Sequence, residues 1–300
     1  MLELVVATPV FLDLTFVGLE SLPTLGEEKF AAEMVRTPGG GAITAIAASR
    51  LGVDAAVAAP LGEDVAGDLV RGALADEGVK WIGTRPAPRT PTTVVLPFGG
   101  DRAMVTIDPG ARAQSADVAA QSPRAVAASL DQLFIVPESS LAYITCGDDD
   151  SRAYAGRPPA ALKGVHVLFV SKREALALTG LTSVEDAGAQ LAELADTVVV
   201  TLASEGAMAL HNGEVTRYVA DPVTEPIDTT GAGDLLAGAY IWADLRGAEP
   251  ADRLRWAVLY ASLAVNTPSG IGGALTEAEL VRAGNARDLV PPPLAGAFTG

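Results

Sequence analysis

Short apolar runs alternate along this chain with alanine-rich stretches of helical period, and most of those stretches end on a glycine. No other feature constrains the fold as much. Leu2 to Ala7 is short and apolar enough for a buried strand. AITAIAASRLG then reads as a helix stopped at Gly52, Ala55–Pro60 as the next strand, and GEDVAGDLVRGALADEGV as a helix closed by Gly78. Strands joined through helices run parallel, so the pattern predicts an α/β fold: a central, mostly parallel β-sheet flanked by helices. The second half repeats it. Val165–Val170 is a strand followed by a short helix to Thr179-Gly180, and Thr197–Leu202 is another strand. Ala207–His211, Asn212-Gly213 and Glu214–Val219 make a hairpin; a loop then feeds a long helix, and a further apolar helix is expected around 251–265. The tail PPPLAGAFTG is expected to be poorly ordered.

The middle interrupts the alternation. Thr92–Phe98, Gly99-Gly100-Asp101 and Arg102–Ile107 read as a hairpin with a glycine-rich turn. Residues 11–37 are mixed and loop-rich, punctuated by Gly18, Pro23 and Gly26. Together the two segments could build a small β appendage over one edge of the sheet.

Composition removes several classes of function. Lys and Arg number 21 against 37 Asp and Glu, a net charge of −16, which argues against a nucleic-acid binder and against docking on an anionic membrane. A lone cysteine, Cys146, excludes a disulfide framework and a multi-thiolate zinc site. The opening MLELVVATPVFLDLTF has no basic region and carries Asp13 inside its apolar run, so it reads as a core strand and not a signal peptide. With apolar residues at 49% and no stretch of membrane-spanning length, the expectation is one large domain over residues 1–300, cytoplasmic.

Chemistry concentrates at Asp228-Thr229-Thr230-Gly231-Ala232-Gly233-Asp234, directly before the helix LLAGAYIWADL. Small residues let a ligand approach the backbone, and a helix's first turn offers unpaired N–H groups to an anion. A carboxylate there repels an anion unless it has other work, and a general base for an attacking hydroxyl is the obvious role. Taken alone, Asp234 could equally be a favourable first-turn acid.

The wider context resembles the ribokinase-like (PfkB) family of carbohydrate and nucleoside kinases. DTTGAGD resembles that family's C-terminal signature, PGGGAITAIAASRLG its N-terminal one, and APLGEDVAGDLVRGALADEGV its G-x-D-x-x-G helix. The hairpin with Asp108-Pro109-Gly110-Ala111 looks like the family's lid strand and the Gly-Ala after it. The resemblance implies a ribokinase-like fold with a small β-sheet lid from about 11–36 and 91–108. It implies ATP-dependent phosphorylation of a hydroxymethyl group on a sugar or sugar-containing molecule; a nucleoside acceptor of the adenosine or inosine kind, or a non-catalytic ligand-binding relative, are the alternatives. Asp234 would be the base, and Gly231, Ala232 and Gly233 would present N–H groups to the transferring phosphoryl. Asp13 would hold sugar hydroxyls, with Gly40 and Gly41 packing against the sugar. Thr201, Ala203, Ser204, Glu205 and Gly206 fall in the nucleotide loop, Glu174 matches an acid linked to Mg²⁺, and Asp228 and Thr230 fall where some members hold a monovalent cation such as K⁺. Some members of the family dimerise through the lid.

Several positions depart from that pattern. Phe11 stands where an Asn is usual, Thr44 replaces another Asn, and Phe134 aligns with a sugar-binding Glu. Ser171 replaces the Asn of N-x-x-E, and Ala203 replaces a loop glycine, which is expected to tighten the backbone there. Unmatched sugar hydroxyls each cost about 1–3 kcal/mol. Phe11 and Phe134 could instead contact an apolar or aromatic portion of the acceptor, or be core residues; Glu174 could equally be a plain first-turn helix acid, and Asp13 a turn former. With so acidic a surface, ATP binding falls to local donors, Mg²⁺ and the nearby Arg102, Lys172 and Arg173.

Overall fold

The computed structural model describes residues 2–83, 86–99, 101–221, 229–267 and 270–293. Asp228 and most of the C-terminal tail, two of the sequence expectations, lie outside them.

The chain opens with β1 (Leu4–Val6), then β2 (Val10–Val17) and β3 (Glu33–Gly40), before α1 (Gly41–Arg50), β4 (Ala55–Val57), α2 (Val65–Asp76) and β5 (Lys80–Trp81). The hairpin β6 (Thr92–Phe98) and β7 (Asp101–Ile107) leads through α3 (Ser115–Ala119) to β8 (Ala125–Ser129) and β9 (Leu141–Thr145). After α4 (Asp148–Ala153) come β10 (Val167–Ser171), α5 (Lys172–Thr179), α6 (Val184–Leu191), β11 (Thr197–Thr201), β12 (Ala207–His211) and β13 (Glu214–Tyr218). Three helices close the fold: α7 (Ala232–Leu245), α8 (Pro250–Ala264) and α9 (Glu277–Asn285).

Among the described residues these strands form two sheets. The large one runs β13-β12-β11-β10-β9-β8-β1-β4-β5, parallel from β11 to β5 with an antiparallel hairpin at the β13 end. Strand alternation splits its core in two. Leu4 and Val6 pack with α1, α2, α7 and α8, whereas Val5 packs on the other face with α5 and α6. The strand order departs in both directions from β1, and ligands of such sheets bind in the crevice beyond the strand ends at that switch point.

The second sheet runs β3-β2-β6-β7. Residues 11–37, read above as mixed and loop-rich and as part of a small β appendage, supply two of its strands, with 18–32 as their connection. Pro38 and two glycines disguised β3, but β3 is an edge strand, where proline is tolerated. The hairpin β6–β7 forms as predicted, but β7 begins one residue earlier than expected, at Asp101, which pairs with Phe98 instead of standing in the turn. β8 (AVAAS) escaped the sequence reading because alanines in a central strand look helical; here they are buried between two helix layers.

α7 is fixed against the large sheet by a buried carboxylate. Asp244 accepts a hydrogen bond from Tyr143 Oη at 2.8 Å, lies 2.7 Å from His166 Nε2, and pairs with Arg253 of α8 at 2.9 Å. Near its other end, Gly238 lets α7 touch α1: a Cβ there would lie 2.7 Å from that of Ala47. The start of α7 is thereby held beside the start of α1.

Candidate active site

Both helices that meet at the switch point begin on a glycine with positive φ and no side-chain cap: Gly40 for α1 (φ 59°) and Gly231 for α7 (φ 75°). Gly231 is required by packing as well as by φ, since a Cβ would lie 2.7 Å from Ile43 Cδ1. Gly233 is different. It is exposed, and a Cβ built on it meets nothing within 4 Å among the described residues, so no described neighbour demands a glycine. Ala232 N–H, expected as a donor to an anion, instead bonds Thr229 C=O at 3.3 Å. The N–H groups of Gly233 and Asp234 have no partner among the described residues.

Asp234 and Asp13, 221 residues apart in sequence, are brought together here. Asp13 is 7% exposed, on β2 just beyond β1. The Asp234 carboxyl is pushed up to about 7, first by burial and then by the negative charge of Asp13; Thr44 and Arg102 act in the opposite direction. Thr44 on α1 donates weakly to Asp234, 3.3 Å from its carbonyl and 3.4 Å from Oδ1. It therefore faces Asp234, and not only the acceptor position the sequence suggested. Arg102 reaches over from β7, its Nη1 3.2 Å from Thr229 Oγ1.

The glycines before α1 divide in their reasons. A Cβ on Gly39 would fall 2.0 Å from Asp13 Oδ2, so this glycine makes room for the carboxylate. Gly40 and Gly41, expected to pack against a sugar, are instead demanded by Pro9 O with the Phe11 ring and by Thr8 Oγ1. Phe11 shares a face of β2 with Asp13 and covers Gly40. Phe134 is no core residue: it is 75% exposed on the 3₁₀ turn Leu130–Ile135 that follows β8.

One set of residues the sequence reading missed is visible only through strand register. Asp13 pairs with Thr37 on β3 and Thr93 on β6, and Thr93 pairs with Thr106 on β7. Thr37 and Thr93 are buried, and the Thr93 and Thr106 hydroxyls are 3.1 Å apart. Asp13 thus sits in a cross-strand row of hydroxyls on the face turned to the site. No local pattern announces this, because a threonine two residues into a strand is ordinary β composition.

The other expected cluster stands at the ends of β10 and β11. Ser171 and Glu174 form a reciprocal cap on α5, with Ser171 N–H to Glu174 Oε2 at 2.7 Å and Glu174 N–H to Ser171 Oγ at 3.2 Å. Burial raises the Glu174 carboxyl, against hydrogen bonds from Ser171 that lower it. Arg173 is paired with Asp148 at 2.6 Å, while Lys172 is exposed. Beyond Thr201, the turn Ala203–Glu205 is exposed, and Gly206 (φ 91°) lies so close to β13 that a Cβ would meet Tyr218 O at 2.1 Å. Ala203 keeps the left-handed conformation natural to glycine (φ 54°), at a strain of about 1 kcal/mol. Thr230 is partly buried just before α7. No group of three or more His, Cys, Asp or Glu among the described residues could hold a metal by itself. Mg²⁺ needs only one or two carboxylates with waters and substrate phosphates, so Glu174, with Oε1 outside the cap, fits that role. No described helix is long and apolar enough to cross a membrane.

Comparison with known proteins agrees with this geometry. The pfkB family of carbohydrate kinases matches residues 13–277, from Asp13 to beyond Asp234. Ribokinase of Bacillus subtilis is 26% identical over 272 residues, covering 86% of this chain and 91% of its own length. Arabidopsis thaliana ribokinase, solved with ribose and ATP, superposes with a TM-score of 0.76 at 23% identity, covering 94% of this chain and 99% of that one. A ribokinase-type chain from E. coli, solved with ATP and Mg²⁺, gives 0.79 at 19% identity, covering 95% and 100%. The chain belongs to the pfkB family of carbohydrate kinases, phosphotransferases that use an alcohol group as acceptor.

Proposed function

Starting from that membership, we propose that this kinase transfers the γ-phosphoryl of ATP to a hydroxymethyl group of a sugar or sugar-containing small molecule, with Asp234 as general base. The observation that carries the reading is the pair Asp13 and Asp234, beside helix N–H groups that have no partner among the described residues. A carboxyl near 7 is well matched to taking a proton from an alcohol as the alcohol attacks, because a base works best with its pKa near the working pH. Asp13, acceptor-only when ionised, takes hydroxyl protons from the sugar in hydrogen bonds and fixes its orientation. The Gly233 and Asp234 N–H groups, with Arg102 from above, face the oxygens of the moving phosphoryl, where charge stabilisation and positioning do most of the work. Glu174 would hold Mg²⁺, through water, against the ATP phosphates, and the ion neutralises their charge when bound. The second sheet acts as a lid that excludes water, the competing acceptor.

The test is ADP release from Mg·ATP with a panel of pentoses, hexoses and nucleosides. Turnover with at least one sugar is expected; ligand-induced melting shifts without ADP release from any of them would instead indicate a binding protein. A nucleoside acceptor is the second reading, favoured by Phe11 beside Asp13 and by the exposed ring of Phe134 on the turn after β8.

A further inference from the structure

The G-x-D-x-x-G stretch Gly62–Gly67 contributes nothing to the chemistry above, yet its polar atoms converge on one residue. Asp64 Oδ1 accepts the N–H of Gly67 at 2.8 Å and the hydroxyl of Thr90 at 2.7 Å, and Oδ2 accepts the N–H of Thr90 at 2.8 Å. Thr90 Oγ1 in turn accepts the N–H of Gly62 at 2.9 Å. The two glycines are needed for this closeness. A Cβ on Gly62 would lie 2.6 Å from Thr90 N, and one on Gly67 would lie 2.2 Å from Gly62 O. Thr90 is 3% exposed and stands two residues before β6.

Capping alone does not account for so many bonds. An N-cap needs one acceptor oxygen, and α5, α6 and α9 are capped by the hydroxyls of Ser171, Ser183 and Thr276. Of the described helices with a side-chain cap, only α2 uses a carboxylate, and its second oxygen goes to Thr90. From Thr90 the hydrogen bonds continue to the site. Pro91 C=O accepts the N–H of Leu12 at 2.9 Å, and the β2–β6 register then sets Leu12 against Thr92 and Asp13 against Thr93.

We propose that Asp64 is a positioning residue for the acceptor: clasping Thr90, it fixes the root of β6 to α2, and through β6 it sets where β2 holds Asp13. This rests on Asp13 being the acceptor's carboxylate. Asp64 touches no substrate; it decides whether the acceptor meets Asp13 in the right place.

Three variants separate clasp from cap. Asp64→Ser keeps an oxygen for Gly67 but is too short to hold Thr90. Thr90→Val removes the hydroxyl, and Thr90→Ser keeps it. With D-ribose and ATP as probes, Asp64→Ser and Thr90→Val are each expected to raise the KM for ribose about tenfold, the size of one lost charge-assisted hydrogen bond. The KM for ATP and kcat stay within about twofold, and Thr90→Ser matches the wild type. Amide hydrogen exchange gives a readout that needs no turnover: Asp64→Ser should speed exchange in residues 10–17 and 92–98 while 65–76 stay protected. If no sugar or nucleoside is phosphorylated by the wild type, the kinase reading fails and exchange alone judges the clasp. The clasp itself is overturned if Asp64→Ser lowers Tm but leaves both the KM for ribose and the exchange of the two strands unchanged.

Discussion

The ends of this molecule proposed for the acceptor and for the nucleotide solve the same problem in opposite ways. At the proposed acceptor end, α1 and α7 open on Gly40 and Gly231 with no side-chain cap, and the Gly233 and Asp234 N–H groups of α7 have no partner among the described residues. At the nucleotide end, α5 is closed by Ser171 and Glu174, which satisfy each other's backbone. A capped helix is finished without a ligand, whereas an uncapped one is completed by the anion it binds. On the proposed mechanism the difference favours α7 for the chemistry and gives α5 a supporting part, with Glu174 as the proposed group beside the metal.

The comparison breaks most sharply at Asp234. Asp234→Asn is expected to lower kcat by about 10²- to 10⁴-fold with acceptor binding retained, measured by coupled ADP release and by melting shifts. Unchanged turnover removes the base. The same variant carries a stability signature. A carboxyl raised to about 7 adds stability that is fully present below the ordinary Asp value and disappears as pH rises through 7. Asp234→Asn should therefore melt higher than the wild type above pH 7 and lose that advantage near pH 4.

Gly231 and Gly233 offer the next test. Gly233→Ala meets open space and replaces glycine in a helix, so Tm should hold or rise. If a phosphoryl group approaches that backbone, the added methyl holds it off the N–H donors and kcat nonetheless falls by about 10²-fold, the scale of one oxyanion donor. Gly231→Ala should instead lower Tm, through strain at φ 75° and contact with Ile43. Equal effects of the two substitutions on stability would contradict the division drawn here.

Titration comes third. Below pH 7 the kcat/KM of the free enzyme should fall about tenfold per pH unit as Asp234 takes up a proton. Asp13→Asn removes the like charge, so the break should move to lower pH while the KM for the acceptor rises. The smallest effect is expected at the nucleotide end. Ala203→Gly relieves a left-handed alanine and should add about 1 kcal/mol of stability, or a few degrees in Tm, with little change in turnover.

Much of this was legible before any coordinates. Glycine-closed helices at Gly52 and Gly78, the Asn212-Gly213 turn and the parallel α/β order all follow from local chemistry and hydrophobic period. Asp234 stood out because a carboxylate among small residues at a helix start is an odd choice for an anion site. Other features left no local trace. β3 was hidden by Pro38, which an edge strand accepts, and β8 by alanines that read as helix. The packing need for Gly40 and Gly41 left no local trace either, since the atoms they make room for belong to Pro9, Phe11 and Thr8.

By itself the sequence determined most of the strands and helices, β3 and β8 apart, and which carboxylate sits at the mouth of α7, because propensity, period and turn chemistry act over a few residues. Only the tertiary structure decided that Asp13 faces Asp234, that Thr37, Thr93 and Thr106 continue its row, and that Asp64 grips the root of β6. Those relations depend on register and on close approach between segments far apart in the chain, and no local preference encodes either.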